Sequence, residues 1–373
     1  MRVSLVAVAL MLPITASCGQ SWTSAEIYPA LIDASVPPDT GKVAPCPPAP
    51  PGVRDIETIS RYGEDRRENN SSVVDEEADQ QYRADIKPIE TFAKAITGRA
   101  DDYVEGKSTA ISDAQCALDW MARWATDDAL LGKVNRQGEA VRKWELATFA
   151  TTYIKIKDAP VDSGKLDDVR DWIHALAVKV RDDYSTGTDR ESRQNNHLYW
   201  AAWSVAAAGI ATGDRSLFDW GVDRYRFALT QIRDDGALPL ELDRRTRAAS
   251  YHMFALAPLV MLAEAGEANG IPLYAENGNR LQKLIELNIA ATGDLSAIGK
   301  LNGFEQENLY SESSMSWMEP YYARTGDKRV IPWLMKYRPM GSRRLGGNMT
   351  ALFAPDLEVT TSSLIHSRPS QAR

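Results

Sequence analysis

Cysteine and histidine are scarce in this chain, three and four respectively among 373 residues. The histidines are scattered, with no His-Glu-x-x-His or other metal spacing, so no metal site is expected. Gly106-Lys107-Ser108 looks like the end of a phosphate loop, yet the earlier glycine, Gly98, lies too far back and no strand precedes it; a nucleotide cofactor is excluded, and none of another kind is indicated. Alternating β-type patterns are rare. Beyond the N-terminus no run reaches the roughly 18 uncharged apolar residues of a membrane helix, so no membrane span is expected. Positive charge is the minority sign: the net charge of −8 argues against nucleic acid or an anionic membrane as the main partner, and a polyanion would have to be met by local clusters.

Met1 to Ser17 has a basic start at Arg2, an apolar run from Val3 to Ile14 and small residues after it, the pattern of a secretory signal. A periplasmic protein is therefore expected. Cleavage falls after Ala16 or, if Cys18 is lipidated, just before that cysteine; Thr15 replaces the Leu usual three residues before a lipidated Cys, which favours the free form over a lipid anchor. Either way Cys46 and Cys116 remain as a pair in an oxidising compartment, where a disulfide between them is expected.

Residues 18–83 divide into a Pro-rich arm, with Pro37-Pro38 and Pro47-Pro48-Ala49-Pro50-Pro51, and a long polar loop from Arg61 to Glu77. A loop of that length is commonly a mobile lid or disordered. From 84 to 355 helical periodicity dominates. Its clearest stripe is Leu166, Val169, Trp172, Ile173, Leu176, Ala177 and Val180. Further helical segments are predicted near 84–104, 112–126, 137–157, 190–211, 215–233, 247–268, 277–291, 305–324 and 328–337, broken by Gly213-Asp214, Asp235-Gly236, Gly270 and Gly326-Asp327. About ten helices joined by short turns predict an all-α fold of antiparallel pairs curled into an (α/α) toroid, an incomplete α/α barrel. Residues 356–373 form a polar tail.

Two clusters carry chemistry. In a helix over 190–211, Asn196, His197 and Trp200 share one face, an amide, an imidazole and a flat aromatic side by side. That helix alone fits a sugar site, but a hydrogen-bonded core with Trp200 and Trp203 as packing residues suits it slightly better. The second cluster runs from Glu241 through Arg244, Arg245 and Arg247 to Tyr251-His252. Three cations at a helix start oppose its dipole, a conflict that an acidic ligand would resolve, and Arg244 reaches the face of Tyr251 if the helix begins early. Together the clusters supply what removal of a proton beside a carboxylate requires: donors that neutralise the anion, and a phenol and an imidazole that move the proton. Arg244 and Arg247 are expected to lower the pKa of Tyr251.

The motifs Asn-Asn-His-x-Tyr-Trp-Ala-Ala-Trp-Ser from Asn195, Leu-Phe-Asp-Trp from Leu217 and Glu-Leu-x-Arg-Arg-x-Arg-Ala-x-x-Tyr-His from Glu241 resemble the family 5 polysaccharide lyases, the periplasmic alginate lyases. The likeness extends through Cys46-Pro47, Ser60-Arg61-Tyr62, Cys116-Ala117-Leu118, Arg142-Lys143-Trp144, Trp317-Met318-Glu319-Pro320-Tyr321 and Arg344-Leu345-Gly346-Gly347, nearly all of the mature chain. The resemblance implies an (α/α) toroid and β-elimination of a 4-linked uronate polymer without metal or cofactor. Asn196, His197 and Arg244 would neutralise the C5 carboxylate. Tyr251 would remove H5 and protonate the departing O4, with His197 as the base for guluronate. Trp200 and Arg344 would contact substrate, as would Arg61 and Tyr62 on a lid loop, where some relatives have Lys in place of Arg61. The cysteine pair fits a family disulfide between arm and helix.

Two other functions are open to this sequence. Asp119, Asp219 and Glu319 are candidate acids of a glycoside hydrolase on the same fold, although capping and surface roles suit each of them better. A catalytically silent polyuronate-binding protein of an export system is the other. His174, on an apolar helical stripe, reads as structural, and His366 lies in the tail. The expected partner is an acidic polysaccharide, and a monomer is expected.

Overall fold

The computed structural model describes residues 22–32, 34–63 and 70–353. The secretory signal, Cys18, the middle of the expected lid loop at 64–69, His366 and the tail lie outside the described residues.

Nine helices build most of the fold: α1 (Glu76–Val104), α2 (Ala110–Thr126), α3 (Arg136–Ile156), α4 (Ser163–Ser185), α5 (Asn196–Thr212), α6 (Arg215–Gln231), the single turn α7 (Pro239–Leu242), α8 (Ala248–Ala268) and α9 (Glu276–Gly293). Their composition sorts them into two layers. α3, α5 and α8 are buried nearly all round, whereas α2, α4, α6 and α9 bury one stripe each. A helix apolar on every side needs neighbours on every side; one with a single apolar stripe needs them on one. The packing follows: α1, α3, α5 and α8 contact in series as an inner ring, and α2, α4, α6 and α9 contact in series outside them. This is the (α/α) toroid.

Close approach within it depends on small residues. A Cβ on Gly221 of α6 would sit 2.6 Å from the Ala202 carbonyl of α5, and one on Gly209 of α5 would sit 2.6 Å from the Phe218 amide. The stretch Arg245–Ala268 has the length and hydropathy of a membrane span, but 83% of its apolar window is buried inside the protein as the core helix α8.

The ring is completed by short pieces. After α10 (Ser296–Asn302), α11 (Glu312–Met315), α12 (Met318–Thr325) and α13 (Ile331–Tyr337), a hairpin of β1 (Gly341–Ser342) and β2 (Gly347–Asn348) leads to α14 (Met349–Phe353), which packs on both α12 and α1. Asp101 of α1 accepts from the Asn348 amide (3.1 Å) and from Lys155 of α3 (2.6 Å), fixing the hairpin to two inner helices. The N-terminal arm reaches the same place: the Tyr28 hydroxyl donates to the Leu345 carbonyl (2.7 Å) and its ring meets Phe353 edge-on.

The Pro-rich stretch runs along α1 and α2. Proline offers carbonyls but no N–H, so donors must come from the helices. Arg99, Trp120 and Trp124 donate to the carbonyls of Pro45, Pro47 and Pro50 at 2.7, 2.8 and 3.1 Å. The expected disulfide joins Cys46 to Cys116 of α2.

Several boundaries differ from the sequence reading. α1 starts at Glu76, inside the expected loop, because the Asp75 carboxylate caps the Ala78 amide (2.8 Å). The predicted 190–211 helix begins only at Asn196, after a 3-10 turn at Glu191–Arg193, since Asn195 caps the His197 amide (3.0 Å). The predicted 305–324 helix is two short helices, α11 and α12.

Candidate active site

Three inner helices begin at one cleft. Arg136, Gln137 and Trp144 come from the first turns of α3, Asn196 and His197 from the start of α5, and Ser250, Tyr251 and Phe254 from the start of α8. Helix N-termini carry partial positive charge and favour anions. Among the described residues, seven arginines (61, 136, 190, 193, 244, 247 and 344) line the cleft, of about 800 Å³, against two glutamates, Glu90 and Glu191. A chain with a net charge of −8 thus concentrates cations in one concavity.

Arg244 precedes α8 rather than belonging to it. The helix does not begin early; a 3-10 turn at Arg245–Arg247 instead places the Arg244 guanidinium 5.0 Å from the Tyr251 ring centroid. Arg244 donates to Glu191 (2.5 Å) and to the Asn70 carbonyl (3.1 Å), and lies 3.8 Å from buried Glu241. Arg247 faces Glu307 at 3.3 Å. The helix-dipole conflict is therefore eased by the protein's own carboxylates as well as being open to an anion.

Tyr251 shares a 2.6 Å hydrogen bond with the Tyr62 hydroxyl. The expectation that Tyr251 is easily ionised is corrected: burial raises its pKa well above 10, Tyr62 beside it adds to the rise, and Arg244 only partly opposes them. In the free protein the phenol holds its proton. His197 is held neutral, its pKa pushed well below the ordinary value by burial and by Lys143, Arg244 and other nearby cations. Its Nδ1 lies 2.9 Å from Nζ of Lys143. Asn196 turns its amide nitrogen to both oxygens of Glu241, at 3.0 Å each, and its backbone N–H to one of them (2.8 Å). Burial raises the pKa of that glutamate.

Arg344 lies 4.7 Å from the Trp144 ring centroid, and its Nε, the Trp144 indole N–H and Asn196 Oδ1 have no hydrogen-bond partner among the described residues. Such buried groups suit a hydroxyl-rich, charged ligand. Arg61 lines the cleft with its Nε 3.2 Å from Asp79.

Residues 64–298 match the family model described as alginate lyase. An alginate lyase of Pseudomonas entomophila is 35% identical over 326 residues, 84% of this chain and 86% of that protein. The chain belongs to the alginate lyase family. An alginate lyase of Pseudomonas paraeruginosa is 32% identical over 334 residues, 86% of this chain and 89% of its own length. Among solved structures, alginate lyase A1-III of Sphingomonas species A1, as a Tyr-to-Phe variant complexed with tetrasaccharide, superposes with a TM-score of 0.69 at 26% identity, covering 85% of this chain and 87% of the other.

Within this alginate lyase family member two expected roles need correction. Trp200 does not line the cleft. It is 2% exposed and donates from its indole to the Phe254 carbonyl (3.0 Å). Four residues on, Pro258 sits inside α8 without an N–H to serve that carbonyl, and Trp200 takes the place of the missing donor. Trp144 and Phe254 form the aromatic wall instead. The sequence offered Trp144 within Arg142-Lys143-Trp144, but periodicity does not separate a wall from a core aromatic. His252, adjacent to Tyr251, is also no cleft residue: it is fully buried, with Nε2 accepting from the Leu238 amide (3.0 Å) and Nδ1 donating to the Ala248 carbonyl (2.8 Å).

The other acids and histidine have structural partners. Asp119 pairs with Lys165, Asp219 with Arg215, and buried Glu319 with Arg338. His174 joins α4 to Asp214, the cap of α6. Among the described residues no group of three His, Cys, Asp or Glu side chains is placed to hold a metal.

Proposed function

We infer that this chain is an alginate lyase that cleaves 4-linked uronate chains by β-elimination. The observation that carries the reading is the convergence of Tyr251, His197, Asn196 and Arg244 on one cationic cleft at the N-termini of three inner helices, in a member of the alginate lyase family. A uronate H5 is very weakly acidic while the neighbouring carboxylate keeps its charge. Arg244, the Nε2 side of His197 and the helix ends offset that charge and the charge that grows on the carboxylate as H5 leaves; the Asn196 amide nitrogen is held by Glu241, so Asn196 would join them only by exchanging that partner for the substrate. Tyr251 must first release its phenolic proton to solvent, a loss that burial and Tyr62 oppose and Arg244 favours; the phenolate then takes H5, the electron pair forms the C4=C5 double bond, the C4–O4 bond breaks, and the phenol so formed returns the proton to O4 and is again a phenolate. The net reaction consumes no water and leaves a 4,5-unsaturated uronate on one fragment and a new reducing end on the other.

Tyr62, Arg61 and Arg344 would grip flanking sugars, and Trp144 offers a flat face to a sugar ring. The A1-III variants in complex with tetrasaccharide carry a replaced tyrosine in one case and a replaced histidine in the other, which accords with roles for Tyr251 and His197. The basic and apolar N-terminus supports a periplasmic location. The substrate is an acidic polysaccharide bound by a single copy of the chain. A panel of purified polymannuronate, polyguluronate and polyglucuronate, followed by ultraviolet absorbance, tests the reading: a growing conjugated double bond is expected, whereas reducing ends without absorbance would indicate a hydrolase, and binding alone a silent receptor.

A further inference from the structure

Lys143 is fully buried on α3, where a charged amine without a carboxylate is costly. The carboxylate on its own helix turn, Glu139, is taken by Arg193 (2.8 Å). Lys143 Nζ meets instead the His197 Nδ1 from α5 (2.9 Å), the Trp144 ring (4.1 Å to the centroid) and the Tyr184 ring of α4 (5.3 Å). The charged groups facing it are Arg344 from the hairpin turn, Arg193 from the segment before α5 and Glu139; Arg136 and Arg244 add to the field at His197. Among the described residues His197 Nε2, the other ring nitrogen, has no protein partner, and the ring lines the cleft.

We propose that Lys143 is a positioning residue that decides which nitrogen of His197 carries the proton, and so whether His197 meets the substrate as a hydrogen-bond donor or as a base. The proposal rests on the lyase reading for its catalytic consequence, not for the tautomer itself. A neutral imidazole wedged between Lys143 and the cleft has two arrangements. When Lys143 is an ammonium it donates to Nδ1, the ring proton sits on Nε2, and His197 can only donate, which suits a uronate carboxylate. When Lys143 is a free amine it accepts from Nδ1–H, and the Nε2 lone pair faces the cleft, which suits proton removal. Burial first, then Arg344 and Arg193, pull the Lys143 pKa well below its usual value, so the free amine appears at lower pH than it does for a solvated lysine. The C5 epimers of a uronate present H5 on opposite faces. Tyr251 from α8 and His197 from α5 stand on different walls, so the Lys143 proton divides labour between two bases.

The test is nitrogen-15 NMR of the histidines in the full chain across pH, in wild type and in Lys143→Met, with Lys143→Gln as the variant that can still hydrogen-bond Nδ1. Alongside it, kcat and KM are measured on polymannuronate and polyguluronate. Wild type is expected to pass from the Nε2–H to the Nδ1–H form of His197 as pH rises, with the ratio of kcat on the two polymers changing about tenfold or more over the same interval. Lys143→Met is expected to show a pH-independent tautomer mixture and a flat ratio, with kcat down roughly 10- to 100-fold, less than loss of a proton-transferring group itself, and KM little changed. Lys143→Gln should recover part of kcat without the pH response. A wild-type tautomer that does not change with pH overturns the proposal, even if the methionine variant fails to fold; so does a Met variant with wild-type tautomer and ratio. If no polymer yields ultraviolet product while the tautomer switches as described, the lyase reading fails and the Lys143–His197 coupling stands.

Discussion

Replacing Tyr251 by Phe removes one oxygen and isolates the chemistry assigned to it. That oxygen acts first as base and then as acid, and a positioned proton-transfer group contributes roughly 10²–10⁴-fold to rate. With both transfers on one atom the loss should sit at the upper end, about 10⁴-fold in kcat, or about 5 kcal/mol of transition-state stabilisation. Little else should change. Among the described residues the hydroxyl's partner is Tyr62, which is only half-buried and can turn to solvent, so stability should move by about 1 kcal/mol or less. Arg244 keeps an aromatic face 5.0 Å away, and its loss of attraction to Phe over Tyr is worth about 0.5 kcal/mol at most. Polymer affinity should therefore hold within a few-fold. Initial rates by ultraviolet absorbance, affinity by calorimetry on polymannuronate and thermal melting separate these quantities. Tyr62→Phe is the control: it breaks the same 2.6 Å hydrogen bond but spares the base, and about a tenfold loss is expected. A Tyr251→Phe enzyme with turnover within tenfold of wild type would refute the mechanism, and one that lost affinity as much as rate would make the tyrosine a structural or binding residue.

Three further outcomes are expected. His252 is buried neutral, with a pKa pushed down to about 4 chiefly by burial. The unfolded chain therefore binds a proton near pH 6.5 that the native state refuses, and stability is full above 6.5 and falls by about 3 kcal/mol as pH drops to 4; urea midpoints across that interval should lose this slope in His252→Gln. Opening the disulfide, by reductant or Cys116→Ser, frees a 70-residue loop and should cost about 4 kcal/mol in unfolding free energy without altering KM. Trp200→Phe strands the Phe254 carbonyl and should cost roughly 1–3 kcal/mol at unchanged KM, whereas Trp144→Ala should raise KM with a smaller effect on melting.

Period and punctuation in the sequence were enough for the helices and their pairing, because burial on one stripe or on all sides is written directly into side-chain order. The cap at Asp75 and the breaks between α11 and α12 were less legible, since capping competes locally with helical propensity. At the site, residue types and spacing pointed to Asn196, His197, Arg244 and Tyr251, and these do line one cleft. What the linear chain could not express was partnership across the ring. Trp200 looked like a sugar platform because its neighbours on α5 are polar, yet its partner is the Phe254 carbonyl, 54 residues away and orphaned by Pro258. The pKa of Tyr251 was misjudged because nearby arginines are visible in sequence while desolvation and the facing Tyr62 are not. Lys143 stood in the Arg142-Lys143-Trp144 motif without a role of its own, since a lysine on a helix reads as a solvated side chain until its surroundings are known.

The contact between Tyr28 and Leu345 joins positions 317 residues apart. Both ends of the described chain thus act as a buckle on the same side of the ring. The entropy cost of bringing such distant positions together grows only logarithmically with separation, so one buried hydroxyl and an edge-on aromatic contact can help hold it shut. The buckle cannot fasten until α14 exists. A ribosome-bound or truncated chain ending before residue 345 would leave the Tyr28 hydroxyl without its acceptor and the seam between α12 and α1 unsealed, which ties closure of the ring to synthesis of the segment from Leu345 through α14.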